Sequence, residues 1–169
     1  VAPFLFEIIK LKIYIMWYKK KAKKKDDDLP LFKGQKIAKK PDYKAKLDKV
    51  FSLYIRYRDT MTGGYFRCIS CGQVKPFEQA DCGHYINRQH MATRFDEMNC
   101  NAQCRKCNRF DEGNIQGYRR GLVAKYGEQK VLLLESKKNT TKNFCEFEYK
   151  ELIKYYTLLV KKLKADKGL

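Results

Sequence analysis

A chain of 169 residues with 44% hydrophobic content suits one domain of about 100–150 residues with extensions, so one compact domain is the default. Its formal net charge of +18, from 37 Lys and Arg against 19 Asp and Glu, favours a polyanionic partner, nucleic acid before an anionic membrane. Seven cysteines in a Lys-rich chain with no recognisable secretion signal argue against a disulfide-stapled secreted domain and for a reducing compartment, where paired thiols hold metal.

The charge is uneven: residues 1–60 carry 17 basic against 7 acidic side chains, residues 61–120 nine against six, and residues 121–169 eleven against six. The stretch from Phe4 to Tyr18 is apolar, but Glu7, Lys10 and Lys12 interrupt it. Such charges cost roughly 2.5–3.5 kcal/mol each near the middle of a span, and the positive start of a signal peptide is missing. No membrane anchor is expected there; a start at Met16 or a short strand are the readings left open. Lys19 to Lys25, broken only by Ala22, leads into Asp26-Asp27-Asp28, Pro30, Gly34 and Pro41. Residues 1–41 therefore read as an apolar stretch and a basic flexible arm, serving solubility or touching phosphates.

From Asp42, a candidate N-cap, Leu47, Val50, Phe51, Tyr54 and Ile55 fall on one helical face, and Gly63-Gly64 stops the helix. Its other face carries Lys44, Lys46, Lys49, Arg56 and Arg58 and is expected to meet water or a DNA backbone. Tyr65 to Ile69 reads as a strand running into Cys68-x-x-Cys71, where Gly72 permits the tight turn. A second extended piece, Ala80 to Ile86, carries His84, and a polar loop leads to Cys104-x-x-Cys107, which is expected to open a helix. Asn114 is placed to cap a helix from Ile115 to Tyr126, ended by Gly127. A shorter helix is expected from Glu128 to Glu135. The last, Glu146 to Lys164, spaces Tyr149, Leu152, Tyr156, Leu159 and Leu163 at three and four, to pack on the core or on a second copy. Residues 165–169 are left as a tail.

Two Cys-x-x-Cys knuckles with 32 residues between Cys71 and Cys104 can close one structural zinc site through Cys68, Cys71, Cys104 and Cys107. Cys82, Cys100 and Cys145 remain as small buried hydrophobes. A zinc ribbon that merely binds something would need no more. The polar content between the knuckles goes further: His84 in a strand, Asn99 in the connecting loop, Asn108 directly after Cys107, and Glu112 one helical turn on. That layout matches the ββα-metal (HNH, or His-Me finger) pattern, so the fold class expected is α+β, a zinc-stapled core over residues 42–164 with flanking α-helices.

The motifs Cys68-Ile69-Ser70-Cys71-Gly72, Asp81-Cys82-Gly83-His84-Tyr85, Arg94-Phe95-Asp96-Glu97-x-Asn99, Gln103-Cys104-x-x-Cys107-Asn108, Gly113-Asn114, Tyr118-Arg119 and Tyr126-Gly127 resemble the NinG/Rap family of lambdoid phage recombination proteins, over roughly residues 45–160. The resemblance implies a structure-specific endonuclease for branched DNA such as Holliday junctions and D-loops, dependent on a divalent cation, phage or prophage encoded and acting in the bacterial cytoplasm. The chain departs from the family in having no cysteine in residues 1–40, and Gly83 stands where many HNH proteins place a carboxylate or His. Asp81 is the substitute ligand.

The mechanism expected is metal-assisted hydrolysis of a phosphodiester, with neutral His84 taking a proton from the attacking water. Mg²⁺ or Mn²⁺ would sit on Asn108 with Asp81 or Glu112, while Asn99 fixes the loop and the orientation of His84. His90 reads as a loop histidine. Arg88, Arg94, Arg105 and Arg109 are candidates for phosphate contacts, Arg94 alternatively pairing with Asp96 or Glu97; Arg119 admits packing or backbone contact. The alternatives to a junction nuclease are a non-catalytic zinc module that binds nucleic acid and a sequence-reading HNH endonuclease. A four-way junction is nearly two-fold symmetric, so a homodimer would suit paired cuts.

Overall fold

A computed structural model describes residues 41–168; the apolar stretch and the basic arm expected over residues 1–40 lie outside the described residues. The compact unit that holds the elements below opens at Asp42. Helix α1 spans Tyr43–Asp59, and its N-cap Asp42 accepts from the Ala45 amide at 2.9 Å, satisfying a donor the helix itself leaves free. It buries Leu47, Phe51, Tyr54, Ile55 and Tyr57.

Lys44, Lys46 and Lys49 are exposed as expected, but Arg56 and Arg58 are not on that water-facing surface. Arg56 lies 4.4 Å above the Phe77 ring. Arg58 donates to both Asp59 oxygens and to the carbonyls of Glu97 and Cys100, each between 2.8 and 2.9 Å. A guanidinium has five N–H donors in a fixed fork, so it satisfies several acceptors around the end of a helix that a lysine could not.

Two antiparallel hairpins follow. Strands β1 (Tyr65–Arg67) and β2 (Val74–Pro76) pair across the first knuckle. Strand β3 (Ala80–His84) pairs with β4 (Cys100–Cys104), Ala80 opposite Cys104 and His84 opposite Cys100. The extended piece thus stops at His84 rather than Ile86, and β4 replaces part of the expected polar loop. Every residue of β4 is buried, Asn101 and Gln103 included; with both faces covered, the apolar alternation that marks a strand disappears. Between the strands, Met91–Arg94 makes one turn, α2.

The second knuckle opens only a π-type turn, Lys106–Phe110, in place of the expected helix. Glu112 and Asn114 then take left-handed φ of 44° and 40°, which breaks any helical path. Asn114 still caps α3 (Ile115–Tyr126), accepting from the Gly117 amide at 3.1 Å, and α4 spans Glu128–Ser136. Helix α3 lies tight on the first knuckle: a Cβ at Gly121 would stand 2.0 Å from the Ile69 carbonyl oxygen, so only glycine permits the approach.

Helix α5 (Glu146–Lys167) runs three residues past Lys164, so residues 165–167 are helix and not tail. Its apolar stripe packs on α1 within the same chain, with Tyr156 and Val160 buried and Tyr149, Leu152, Leu159 and Leu163 partly so. Of the two roles expected for that stripe, the structure shows packing on the core of its own chain. Lys167 ends the helix by donating to the carbonyls of Tyr57, at 2.6 Å, Arg58 and Thr60, acceptors exposed at the end of α1. Among the described residues the architecture is mixed α and β, two small sheets between the α1/α5 pair and the α3/α4 pair, each pair with its own apolar cluster.

Candidate functional site

The sulfurs of Cys68, Cys71, Cys104 and Cys107 all lie within 4.8 Å of one another, with Cys71 and Cys104 at 3.9 Å. Zinc bound at about 2.3 Å to each thiolate sets neighbouring sulfurs about 3.8 Å apart. The surroundings are oriented accordingly: the Cys104 amide donates to Cys68 Sγ at 3.3 Å and Asn114 Nδ2 to Cys107 Sγ at 3.5 Å. The Ile69 amide donates to the Ala102 carbonyl at 3.1 Å, tying the first knuckle to β4. This cluster could hold a metal such as zinc.

Beside it opens a cleft of about 410 Å³ whose walls include His84, Arg88, Asn108 and Glu112, with Cys82 and Tyr85. Strand β3 delivers His84 at its last position, where the pairing with β4 holds it rigidly. His84 Nε2 lies 3.2 Å from the Arg94 carbonyl oxygen. A carbonyl only accepts, so Nε2 carries the proton and Nδ1 keeps the lone pair. Burial pushes the imidazole below its ordinary pKa of 6.5, and the Arg94 and Arg88 charges push the same way against the Arg94 carbonyl and Asp48. At neutral pH the ring is an uncharged base.

Asn108 reaches the cleft from the π-type turn, its Nδ2 donating to Asp81 at 3.1 Å, which leaves Oδ1 as the acceptor. Glu112 reaches the same cleft through its left-handed backbone and not, as the spacing implied, along a helical face shared with Asn108. An amide oxygen and a carboxylate are hard donors; Mg²⁺ is commonly held by one or two such groups together with substrate phosphate. The donor set therefore fits Mg²⁺ or Mn²⁺.

Asp81, the substitute ligand of the sequence reading, is not among the residues lining this cleft. Alternation along β3 sends residues 81 and 83 to the face opposite 82 and 84, and Asp81 is occupied by Arg109, with Nε and Nη2 both at 2.7 Å, and by Asn108. Burial alone would raise its carboxyl, but Arg109 and Asn108 outweigh it and hold the group below the usual carboxylate range. Asp81 thus positions Asn108. Gly83 admits no larger residue, because its Cβ would sit 2.3 Å from Gln103 Oε1.

Asn99 is fully buried and does not line the cleft. Its Oδ1 accepts from the Ile86 amide at 2.7 Å, and its Nδ2 donates to the carbonyls of Ile86 at 2.9 Å and Thr93 at 3.0 Å. It clamps the segment between β3 and β4, which carries the Arg94 carbonyl that holds His84.

Of the arginines expected to meet phosphate, Arg88 lines the cleft. Arg94 pairs instead with Asp48 of α1, at 2.9 and 2.6 Å, a partner 46 residues away rather than Asp96 or Glu97. Arg109 is on Asp81, and Arg119 is held by Glu135 and Glu128. Arg105 donates to the Glu78 carbonyl at 2.7 Å. Glu97 accepts from the hydroxyls of Tyr54 and Tyr156. His90 precedes α2, 3.4 Å from Gln89. Among the leftover cysteines Cys100 is buried and Cys82 half-buried, but Cys145 is exposed at the start of α5, a correction to the buried role expected of all three. Sequence reasoning gave Tyr118 no role at the site: fully buried, it donates to the Gly83 carbonyl at 2.9 Å, one residue before His84.

A family model described as Bacteriophage Lambda NinG protein matches residues 15–166. The chain is 36% identical over 110 residues to Protein ninG of Escherichia phage 933W and to that of Escherichia phage lambda, in each case 63% of this chain and 52% of the relative. It is 36% identical over 107 residues to Protein ninG of Salmonella phage P22, covering 62% of this chain and 50% of the relative. The matches thus span about half the length of these relatives. No solved structure matches the chain.

Proposed function

Since this chain belongs to the NinG family, we propose that it is a cation-dependent endonuclease of phage recombination, hydrolysing phosphodiester bonds in branched DNA within the bacterial host cytoplasm, on a ββα-metal core stapled by zinc. The observation that carries this reading is the cleft in which His84, with its proton held on Nε2 by the Arg94 carbonyl, faces Asn108, Glu112 and Arg88. Nδ1 of His84 takes a proton from the attacking water, a step worth roughly 10²–10⁴ in rate. Asn108 and Glu112 hold the cation, and Arg88 binds a neighbouring phosphate. When bound, the cation polarises the scissile phosphate and stabilises the leaving oxygen. Cys68, Cys71, Cys104 and Cys107 hold structural zinc, which keeps the turn that presents Asn108 against β3.

The test is incubation with labelled four-way junction, flap and linear duplex in Mg²⁺, Mn²⁺ or EDTA. Metal-dependent nicking confined to branched substrates supports the proposal. Tight binding without cleavage in any metal would identify a non-catalytic zinc module, and cutting that follows sequence and ignores branching would identify a sequence-reading nuclease.

A further inference from the structure

A second group of donors lies apart from the four-cysteine cluster. Cys82, His84 and Cys100 bring two sulfurs and an imidazole nitrogen within 4.8 Å of one another. Their convergence follows from the register of the β3/β4 hairpin: His84 lies directly opposite Cys100, and Cys82, two residues back, shares its face because strand side chains alternate. Directly opposite residues such as His84 and Cys100 have Cβ atoms about 4.5–5.5 Å apart, and diagonal ones such as Cys82 and Cys100 about 7–8 Å. Core packing accounts for the fully buried Cys100 and for Cys82 packed against the same cluster; it does not explain why an imidazole from the cleft meets both thiols.

We propose that Cys82, His84 and Cys100 form a second, soft-metal site that takes a Zn²⁺-class ion and leaves its fourth position open to the cleft. Two thiolates and one imidazole with a vacant position are a recognised ligand set for zinc, whose bonds of about 2.0–2.3 Å set donors about 3.3–3.8 Å apart. The three donors need to close by only about 1 Å to reach that spacing. The Arg94 carbonyl accepts from His84 Nε2 at 3.2 Å and from the Cys100 thiol at 3.5 Å; with the thiol ionised on a metal, the bond to Nε2 would remain as the outer contact that orients the ring and leaves Nδ1 for the ion. Cys82 and His84 both line the cleft, whereas Cys100 is fully buried and does not, so an ion entering from solvent meets the first two donors before the third. The hard donors Asn108 and Glu112 are the poorer match for zinc, and the soft trio the poorer match for Mg²⁺. Filling the site occupies the lone pair of His84; this consequence rests on the general-base reading above, whereas the site itself does not.

The full chain is reduced, stripped of loosely held metal, and dialysed to equilibrium against buffered free Zn²⁺, with metal per chain measured by atomic emission. Two ions per chain are expected for the wild type and for Cys145→Ser, and one for Cys82→Ser and Cys100→Val. Co²⁺ replacing Zn²⁺ should show thiolate charge-transfer bands for both sites in the wild type and lose one set in Cys82→Ser. Retention of the first ion and an unchanged far-UV spectrum certify that a variant is folded. One ion per chain in the saturated wild type, or two in folded Cys82→Ser/Cys100→Val protein, overturns the proposal. A separate arm measures Mg²⁺-supported junction cleavage, each protein against its own rate without Zn²⁺: added Zn²⁺ should inhibit the wild type and leave Cys82→Ser at its own zinc-free rate. Inhibition that persists in that variant overturns the link to His84. If the wild type cuts no substrate, the nuclease reading fails and the stoichiometry still decides the metal site.

Discussion

At His84, a backbone acceptor and a protein wall do together what neither does alone. The Arg94 carbonyl fixes the proton on Nε2, and burial keeps the ring uncharged, so Nδ1 is a base before any substrate arrives. His84→Ala is expected to lower metal-dependent junction cleavage by roughly 10²–10⁴ while leaving junction affinity in place; binding and cleavage measured on one preparation check this, and cleavage at the wild-type rate would remove the assignment. Asp81 acts one step further out, holding Asn108 through Nδ2 and itself neutralised by Arg109. Removing such an outer partner typically costs 10–100-fold in metal affinity or activity. Asp81→Ala should therefore raise the Mg²⁺ concentration for half-maximal cleavage by about that factor, with the rate recovering at saturating Mg²⁺. A loss that Mg²⁺ cannot restore would mean the carboxylate does more than position Asn108.

Between elements, the junction of α1 with β4 is held by the Asp59 carboxylate. Asp59 accepts from the Ala102 amide at 2.8 Å, from Arg58 at 2.8 and 2.9 Å, and from Lys125 at 3.3 Å. Burial alone would raise its carboxyl, but Arg58, Lys125 and the Ala102 amide outweigh that and hold it below its ordinary value. A carboxylate with a lowered folded pKa contributes stability that is fully present above its unfolded value, near 3.9, and is lost as pH falls through the folded one. Urea unfolding between about pH 3 and 6 should show that acid-side loss in the wild type and a shallower one in Asp59→Asn, which is also expected to be about 1–3 kcal/mol less stable at neutral pH. The contact of α3 with the first knuckle rests on sterics instead. Gly121→Ala places a methyl against the Ile69 carbonyl, and overpacking of this kind costs roughly 1–3 kcal/mol; a denaturation midpoint unchanged from wild type would show that α3 can shift at no cost.

For the whole molecule, the apolar material of the described residues is divided among three clusters, and in the middle one half of the six buried residues are the candidate zinc thiols Cys68, Cys104 and Cys107. That cluster has little else to hold it. Chelation is therefore expected to abolish amide-exchange protection in β3 and β4 while α1 and α5, which share the larger cluster, keep theirs; loss of all protection at once would show a single cooperative unit. No helix among the described residues is long and apolar enough to cross a membrane. The charge of +18 is expected to make DNA binding fall steeply with salt. Neutralising 6–10 phosphates implies a loss of roughly 10³–10⁵ in affinity between 50 and 200 mM salt, and filter-binding or anisotropy titrations across that range measure it.

The four-cysteine cluster, the α1 and α3 caps and the helix periods were legible in the chain because each depends on neighbours at fixed short spacing: two thiols from one turn, Asp42 on Ala45, Asn114 on Gly117. Strand β4 was hidden because burial of both faces erases alternation. Asp48 meeting Arg94, the exit of Asp81 from the cleft, and the meeting of Cys82, His84 and Cys100 were decided only by tertiary structure. Each depends on strand register or on a partner more than ten residues away, and no local pattern encodes which distant group will satisfy a buried charge or lone pair.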